Sequence, residues 1–224
     1  MTNKKNTFKL KAVIFDMDGV ITDTMTYHMH AWKAIFTRHG VRVSKQDIYK
    51  REGQRGINSV EEIFSDHGKV FDLIEGKKIL LEKEELFKKI VKKKFIAGSR
   101  AFLKTLKRRN FKLALVTGTA RHEVHHMLPK EIFGLFDAVV CGCDVRNGKP
   151  HPEPYLTALK KLGLKAREAL VVENAPFGIQ SAKAAGIKCL AIETSLSKKY
   201  LNKADHVFHS FAHLKSKAEF HLQD

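Results

Sequence analysis

Ala12-Val13-Ile14-Phe15-Asp16-Met17-Asp18-Gly19-Val20 sets four consecutive apolar residues directly before two aspartates spaced two apart. In an extended backbone, residues i and i+2 point to the same side, so Asp16 and Asp18 can address one reacting centre. Two such carboxylates suit phosphoryl transfer: one attacks phosphorus to give an aspartyl phosphate, and the other moves the leaving group's proton. Gly19 lets the chain turn away without a side chain in the approach path. An Asp-x-Asp-Gly cluster also fits a surface turn or part of a calcium loop. A calcium loop wants further oxygen ligands and a closing Glu, and residues 21 to 27 add only Asp23.

Similar apolar runs recur along the 224 residues, at Leu113 to Val116, Ala138 to Val140, Leu170 to Val172, Cys189 to Ile192 and Val207-Phe208. Helix-like segments lie between most of them, including Arg100 to Arg109, Glu153 to Leu162 and Gly178 to Ala185. Continuous rather than alternating apolar strands separated by helices predict a parallel sheet covered on both faces, an α/β doubly wound fold. The exception is the stretch from residue 21 to about 97. It contains helical patterns at Tyr27 to His39, Val60 to Phe64 and Ile79 to Lys93, and no strand. That is far more chain than one crossover needs, so it reads as an inserted helical cap over residues 23–96, with residues 1–22 and 97–224 forming the core. The hinges fall near residues 22 to 24 and 95 to 99.

In open parallel sheets, ligands gather at the carboxyl ends of strands. Asp16 and Asp18 follow the first run, Thr117-Gly118-Thr119 the second, Lys149 the third and Glu173-Asn174 the fourth. Thr117 can offer its hydroxyl and Gly118 its N–H to a phosphoryl oxygen, while Lys149 neutralises nucleophile and phosphate together. Glu173 would anchor Mg²⁺ with Asp16 and the backbone carbonyl of Asp18, since magnesium takes one or two carboxylates plus a phosphate oxygen.

These four segments in this order resemble the haloacid dehalogenase superfamily of aspartate-nucleophile phosphotransferases. The matching pieces are Phe15 to Val20, Val116-Thr117-Gly118-Thr119, Gly148-Lys149-Pro150 and Val171 to Pro176, within a span from residue 11 to 192. The resemblance implies a Rossmann-like core, a Mg²⁺ cofactor and an aspartyl-phosphate intermediate. Many relatives carry two acids at the last motif, whereas the second position here is Asn174, which offers a carbonyl oxygen without charge.

Residues 23 to 34 resemble the β-phosphoglucomutase-like branch, in which the cap residues corresponding to His28 and Trp32 face the sugar. In that branch a loop matching Glu52-Gly53-Gln54-Arg55-Gly56 meets the substrate, so Gly53, Gln54 and Arg55 join Gly118 and Thr119 as expected substrate contacts. Trp32, the sole tryptophan, can equally fill the cap core, and His28 can be a solvated helix residue. Mutases of the branch grip a second phosphate with a cap-loop arginine. Arg55 is the candidate, but its spacing from Gly53 departs from the branch pattern, which favours hydrolysis over mutase chemistry. The expected enzyme is a Mg²⁺-dependent phosphatase of a small phosphorylated metabolite, with a sugar phosphate first, a mutase second and a catalytically degenerate basic nucleic-acid-interaction protein third.

Composition bounds the alternatives. No run of about 18 apolar residues suggests a membrane span, and the start lacks a signal-peptide core, so the expectation is a soluble, cytoplasmic and monomeric protein. Cys141, Cys143 and Cys189 cannot all pair and read as reduced thiols. The net charge of +17 raises a nucleic-acid partner, but no zinc finger or RNA-binding sheet signature accompanies it. Lysines from Lys77 to Lys94 alternate with Glu82, Glu84 and Glu85 at helical spacing and read as a solvated, ion-paired helix face. Residues 4 to 11 read as a solvated tail. One further motif, His122-Glu123-Val124-His125-His126, matches the His-Glu-x-x-His pattern of zinc proteases, although a zinc site there needs a third ligand and a cleft.

Overall fold

The computed structural model describes residues 5–223. In chain order the elements are β1 (Asn6–Leu10), β2 (Ala12–Phe15), α1 (Met25–Arg38), α2 (Lys45–Lys50), α3 (Gly56–Asp66), α4 (Leu73–Ile90), α5 (Ser99–Arg108), β3 (Lys112–Val116), α6 (Arg121–Met127), α7 (Lys130–Phe133) and β4 (Ala138–Val140). There follow α8 (Glu153–Leu162), β5 (Ala169–Glu173), α9 (Pro176–Ala184), β6 (Lys188–Ile192), β7 (His206–Phe208), α10 (Phe211–Lys217) and β8 (Ala218–Leu222). Six strands form one parallel sheet in the order β4-β3-β2-β5-β6-β7.

The parity of β2 explains why its run is apolar throughout. Ala12 and Ile14 join one buried cluster with Val116, Val171 and Tyr155, while Val13 and Phe15 join another with Leu115, Val172 and Phe102. Side chains alternate across a strand, so a sheet with helices on both faces needs apolar residues at every position. Strand order reverses between β2 and β5, and the crevice at that switch point lies where Asp16 and Glu173 end their strands.

Between β2 and α5 the chain forms α1 to α4 and no strand beyond the isolated Asp18–Thr22 and Thr22–Phe95 bridges. The two connections run side by side there: Asp23 N–H donates to the Lys94 carbonyl at 2.9 Å, and Ile96 N–H to the Ile21 carbonyl at 2.9 Å. The cap core stacks Trp32 on Phe36 at 5.1 Å between centroids, with Phe64 and Ile79 in the same cluster. Helix α2 starts at a reciprocal Ser44–Asp47 capping box, a short-range signal overlooked in the sequence.

Several sequence expectations need correction. Residues 6 to 10 are not a solvated tail: they form β1, paired in parallel with β8, and Phe8 and Leu10 are buried; Lys4 lies outside the described residues. Helix α4 ends at Ile90 rather than Lys93. Its lysines make no ion pair with a carboxylate among the described residues, and Glu82 instead meets His39 Nε2 at 3.2 Å. The buried stripe of α4 is Gly76, Ile79, Lys83 and Phe87, so one lysine of the supposed solvated face is interior. All three cysteines are free, with Cys143 exposed. No helix of the described residues is long and apolar enough to cross a membrane.

Candidate active site

A cleft of about 240 Å³ lies between cap and core, and Asp16, Asp18, Thr117, Gly118, Thr119, His28 and Trp32 all line it. Its floor is built from strand ends. Asp16 leaves β2 with its N–H bound to the Val172 carbonyl at 3.1 Å. Lys149, 1% exposed, reaches in from the loop after β4 and donates to Asp16 Oδ1 and Glu173 Oε1, both at 2.6 Å. One oxygen of Asp16 is thus held by a fixed cation.

Asp18 is surrounded by donors. Thr24 Oγ1 (2.5 Å), Thr22 Oγ1 (3.3 Å) and Thr119 Oγ1 (2.9 Å) donate to it, and His28 Nε2 from α1 lies 3.4 Å away. Burial opposes the charge, but His28 and the hydroxyls outweigh it and hold the carboxyl well below its ordinary range. His28 is itself stacked on Phe87 at 4.0 Å, and burial lowers its pKa, with the Lys83 charge adding to the effect. It is not a solvated helix residue. Thr117 Oγ1 accepts from Thr119 N–H at 3.1 Å, shaping the turn above β3.

Four buried carboxyls, Asp16, Asp18, Glu52 and Glu173, share this floor with Lys149. Burial raises the pKa of Asp16 most; Glu173 and Asp18 push the same way, and Lys149 opposes them. Burial likewise raises Glu52 well above the usual carboxylate range.

At the fourth motif Glu173 and Asn174 have separate sets of partners. Glu173 Oε1 accepts from Lys149 and from Tyr155 Oη at 2.8 Å, and Oε2 accepts from the N–H groups of Asn174 (2.9 Å) and Ala175 (3.3 Å). Both oxygens are hydrogen-bonded, and Oε1 positions Lys149 beside Asp16. Asn174 Nδ2 donates to Glu52 Oε1 at 2.5 Å and to Ser195 Oγ at 3.0 Å, leaving Asn174 Oδ1 and Glu52 Oε2 buried without a partner. Glu52, from the cap, thus reaches the position where the sequence lacks its second acid.

A family model for haloacid dehalogenase-like hydrolases matches residues 13–192, which contain every strand-end residue just described. The chain belongs to this family. This haloacid dehalogenase-like hydrolase is 33% identical over 187 residues to a phosphorylated carbohydrates phosphatase of Thermotoga maritima, covering 80% of this chain and 83% of that one. It is 30% identical over 212 residues to (DL)-glycerol-3-phosphatase 1, mitochondrial, of Arabidopsis thaliana, covering 91% and 71%. A solved structure of a candidate β-phosphoglucomutase from Bacteroides vulgatus superimposes with a TM-score of 0.83 at 36% identity, covering 94% of this chain and 91% of that one. The hydrolase is of the β-phosphoglucomutase-like branch.

Gly53, Gln54 and Arg55 of this hydrolase all line the cleft, and each also has a partner within the protein. Gln54 is tied inside the cap, donating to Glu62 at 2.6 Å and accepting from Ser59 at 3.2 Å. Arg55 Nη1 donates to the Arg146 carbonyl of the core at 2.7 Å, a latch between cap and core. Gly53 packs on Lys149: a Cβ there would sit 3.1 Å from Lys149 Cδ, at a φ of +80°. Gly118 lies directly beneath, where a Cβ would come within 2.7 Å of the Gly53 carbonyl oxygen.

Trp32 is both cap core and cleft wall. The His-Glu-x-x-His segment makes no protease site: His122 and His126 are exposed, whereas Glu123 is buried against the cleft. Sequence reasoning missed Lys83, Glu52 and Tyr155. Lys83 had a legible signal, since it falls four residues from both Ile79 and Phe87 on one helical stripe. Tyr155 had none, since its reach to Glu173 depends on how α8 packs against the sheet.

Proposed function

We propose that this phosphoric monoester hydrolase releases phosphate from a small polyhydroxylated metabolite, through a phosphorylated Asp16 and with Mg²⁺ as cofactor. The observation that carries the reading is the buried Lys149 bridging Asp16 and Glu173, two residues from an Asp18 charged by hydroxyls and His28. The relatives named for phosphorylated carbohydrates and glycerol 3-phosphate support a sugar or polyol monophosphate.

The donor set fits a hard divalent cation. Four carboxyls face one lysine on the floor, and Asn174 Oδ1 and Glu52 Oε2 are buried oxygens without donors. Asp16, the Asp18 carbonyl, Asn174 Oδ1 and Glu52 would hold Mg²⁺. When bound, the ion would neutralise the phosphoryl oxygens facing Asp16. In the first step Asp16 attacks phosphorus, the P–O bond to the metabolite breaks, and the alcohol oxygen takes a proton carried by the Asp18–His28 pair. In the second, Asp18 removes a proton from water, whose oxygen attacks the aspartyl phosphate and frees Asp16. Lys149 holds the Asp16 carboxylate in its attacking orientation, and Thr117 and the Gly118 N–H receive phosphoryl oxygens.

Hydrolysis is favoured over mutase chemistry because Arg55, the expected clamp for a second phosphate, spends a donor on the Arg146 carbonyl. The test is Mg²⁺-dependent phosphate release across sugar and polyol monophosphates, with β-glucose 1-phosphate plus a bisphosphate primer assayed for isomerisation. Release should dominate, and Asp16→Asn should lower it by about 10³-fold or more with an unchanged circular dichroism spectrum. Isomerisation without net release would replace the phosphatase reading with the mutase one, and a wild-type rate in Asp16→Asn would remove Asp16 as nucleophile.

A further inference from the structure

The His122-Glu123 pair has no part in phosphoryl transfer, yet α6 presents it across the cleft to Glu84 of the cap helix α4. One ligand atom from each of Glu84, His122 and Glu123 lies within 4.8 Å of the others, a grouping found among the described residues. Glu123 is only 4% exposed, and its Oε1 is sealed from solvent without a hydrogen-bond partner. A buried carboxylate oxygen with no donor is a standing cost that a cation would relieve. At His122, Lys88 Nζ lies 3.3 Å from Nε2. An ammonium can only donate, so Nε2 presents its lone pair on this side.

We propose that Glu84, His122 and Glu123 bind a divalent transition-metal ion of the zinc type, bridging cap and core. One imidazole nitrogen and two carboxylate oxygens, with a water completing the set, suit Zn²⁺ and its neighbours in the first row; Mg²⁺ and Ca²⁺ prefer all-oxygen sites. The ion takes the place of the Lys88 ammonium, which is exposed and free to swing into solvent. Lys83, the buried cation beside Glu123, opposes binding and keeps the affinity modest. Since Glu84 belongs to the cap and the other two ligands to the core, the ion is held only when the cleft is closed. Bound metal therefore slows opening and inhibits turnover. Binding is independent of the catalytic reading; the inhibition rests on it.

The experiment is equilibrium dialysis of the full-length protein against Zn²⁺ in excess Mg²⁺, which keeps Zn²⁺ out of the catalytic floor, followed by elemental analysis. Wild type should retain one equivalent, and both Glu84→Gln and His122→Asn should weaken its affinity by about tenfold or more. His122→Asn, exposed and outside the catalytic machinery, should keep the basal rate of phosphate release while resisting Zn²⁺ inhibition by a similar factor. Retention of Zn²⁺ with unchanged affinity in both variants, or no Zn²⁺ bound beyond what Mg²⁺ displaces, overturns the site. Zn²⁺ binding with undiminished turnover overturns its role in holding the cap.

Discussion

Asp16 shows what a crowd of like charges does to a buried carboxyl. Burial pushes its pKa up to about 8, and Lys149 opposes the shift without cancelling it. An unfolded aspartate ionises near roughly 4. Between these two values the folded protein binds more protons at Asp16 than the unfolded chain does, so this residue makes stability fall as pH rises. In metal-free protein the melting temperature should therefore decline from pH 5 to pH 8 more steeply in wild type than in Asp16→Asn. Added Mg²⁺ should raise it more at pH 8 than at pH 5. Differential scanning calorimetry at both pH values checks this, and equal pH slopes in the two proteins would contradict it. The Asp-x-Asp spacing was legible because side-chain period in a strand is a local property. The identity of the neighbours that shift Asp16 was not, because Glu173 is 157 positions away and Glu52 comes from the cap.

At the scale of elements, the cap loop between α2 and α3 is the piece on which catalysis and closure meet. Gly53 covers Lys149 with its φ at +80°, and an added methyl would press on the lysine stem at 3.1 Å. Alanine in the left-handed region costs about 1–2 kcal/mol. Gly53→Ala should lower stability by about that amount in urea unfolding, and should reduce kcat/KM by about tenfold through a displaced Lys149 ammonium. A variant losing stability but keeping kcat/KM would show that the loop does not brace the lysine. The core strands were readable because burial on both faces demands apolar residues at every position. Strand β1 was not. Its Phe8 and Leu10 alternate correctly, but Lys9 between them and Lys11 just after suggested solvent, and the partner β8 lies more than two hundred residues on.

Across the whole molecule, cap and core are joined at the reaction centre by side chains of both. Glu52 meets Asn174 at 2.5 Å, His28 meets Asp18 at 3.4 Å, and Arg55 meets the Arg146 carbonyl at 2.7 Å. Asn174 carries no charge, and Glu52 of the cap brings a carboxyl within hydrogen-bond reach of it. Glu52→Gln should weaken Mg²⁺ binding by about tenfold in isothermal titration, and Asn174→Asp added to it should recover most of the loss. An unchanged dissociation constant in Glu52→Gln would exclude the cap from the metal set.

By itself the sequence determined the parallel sheet, the helical insert and the floor residues Asp16, Asp18, Thr117 and Lys149, because each follows from local period or from its place at a strand end. Tertiary structure alone decided that Glu173 serves Lys149, that Glu52 completes the floor, and that Lys83 and Glu123 face the cleft. Those roles depend on which distant atoms occupy each oxygen and nitrogen, and hydrogen-bond capacity is assigned only when cap and core close on one another.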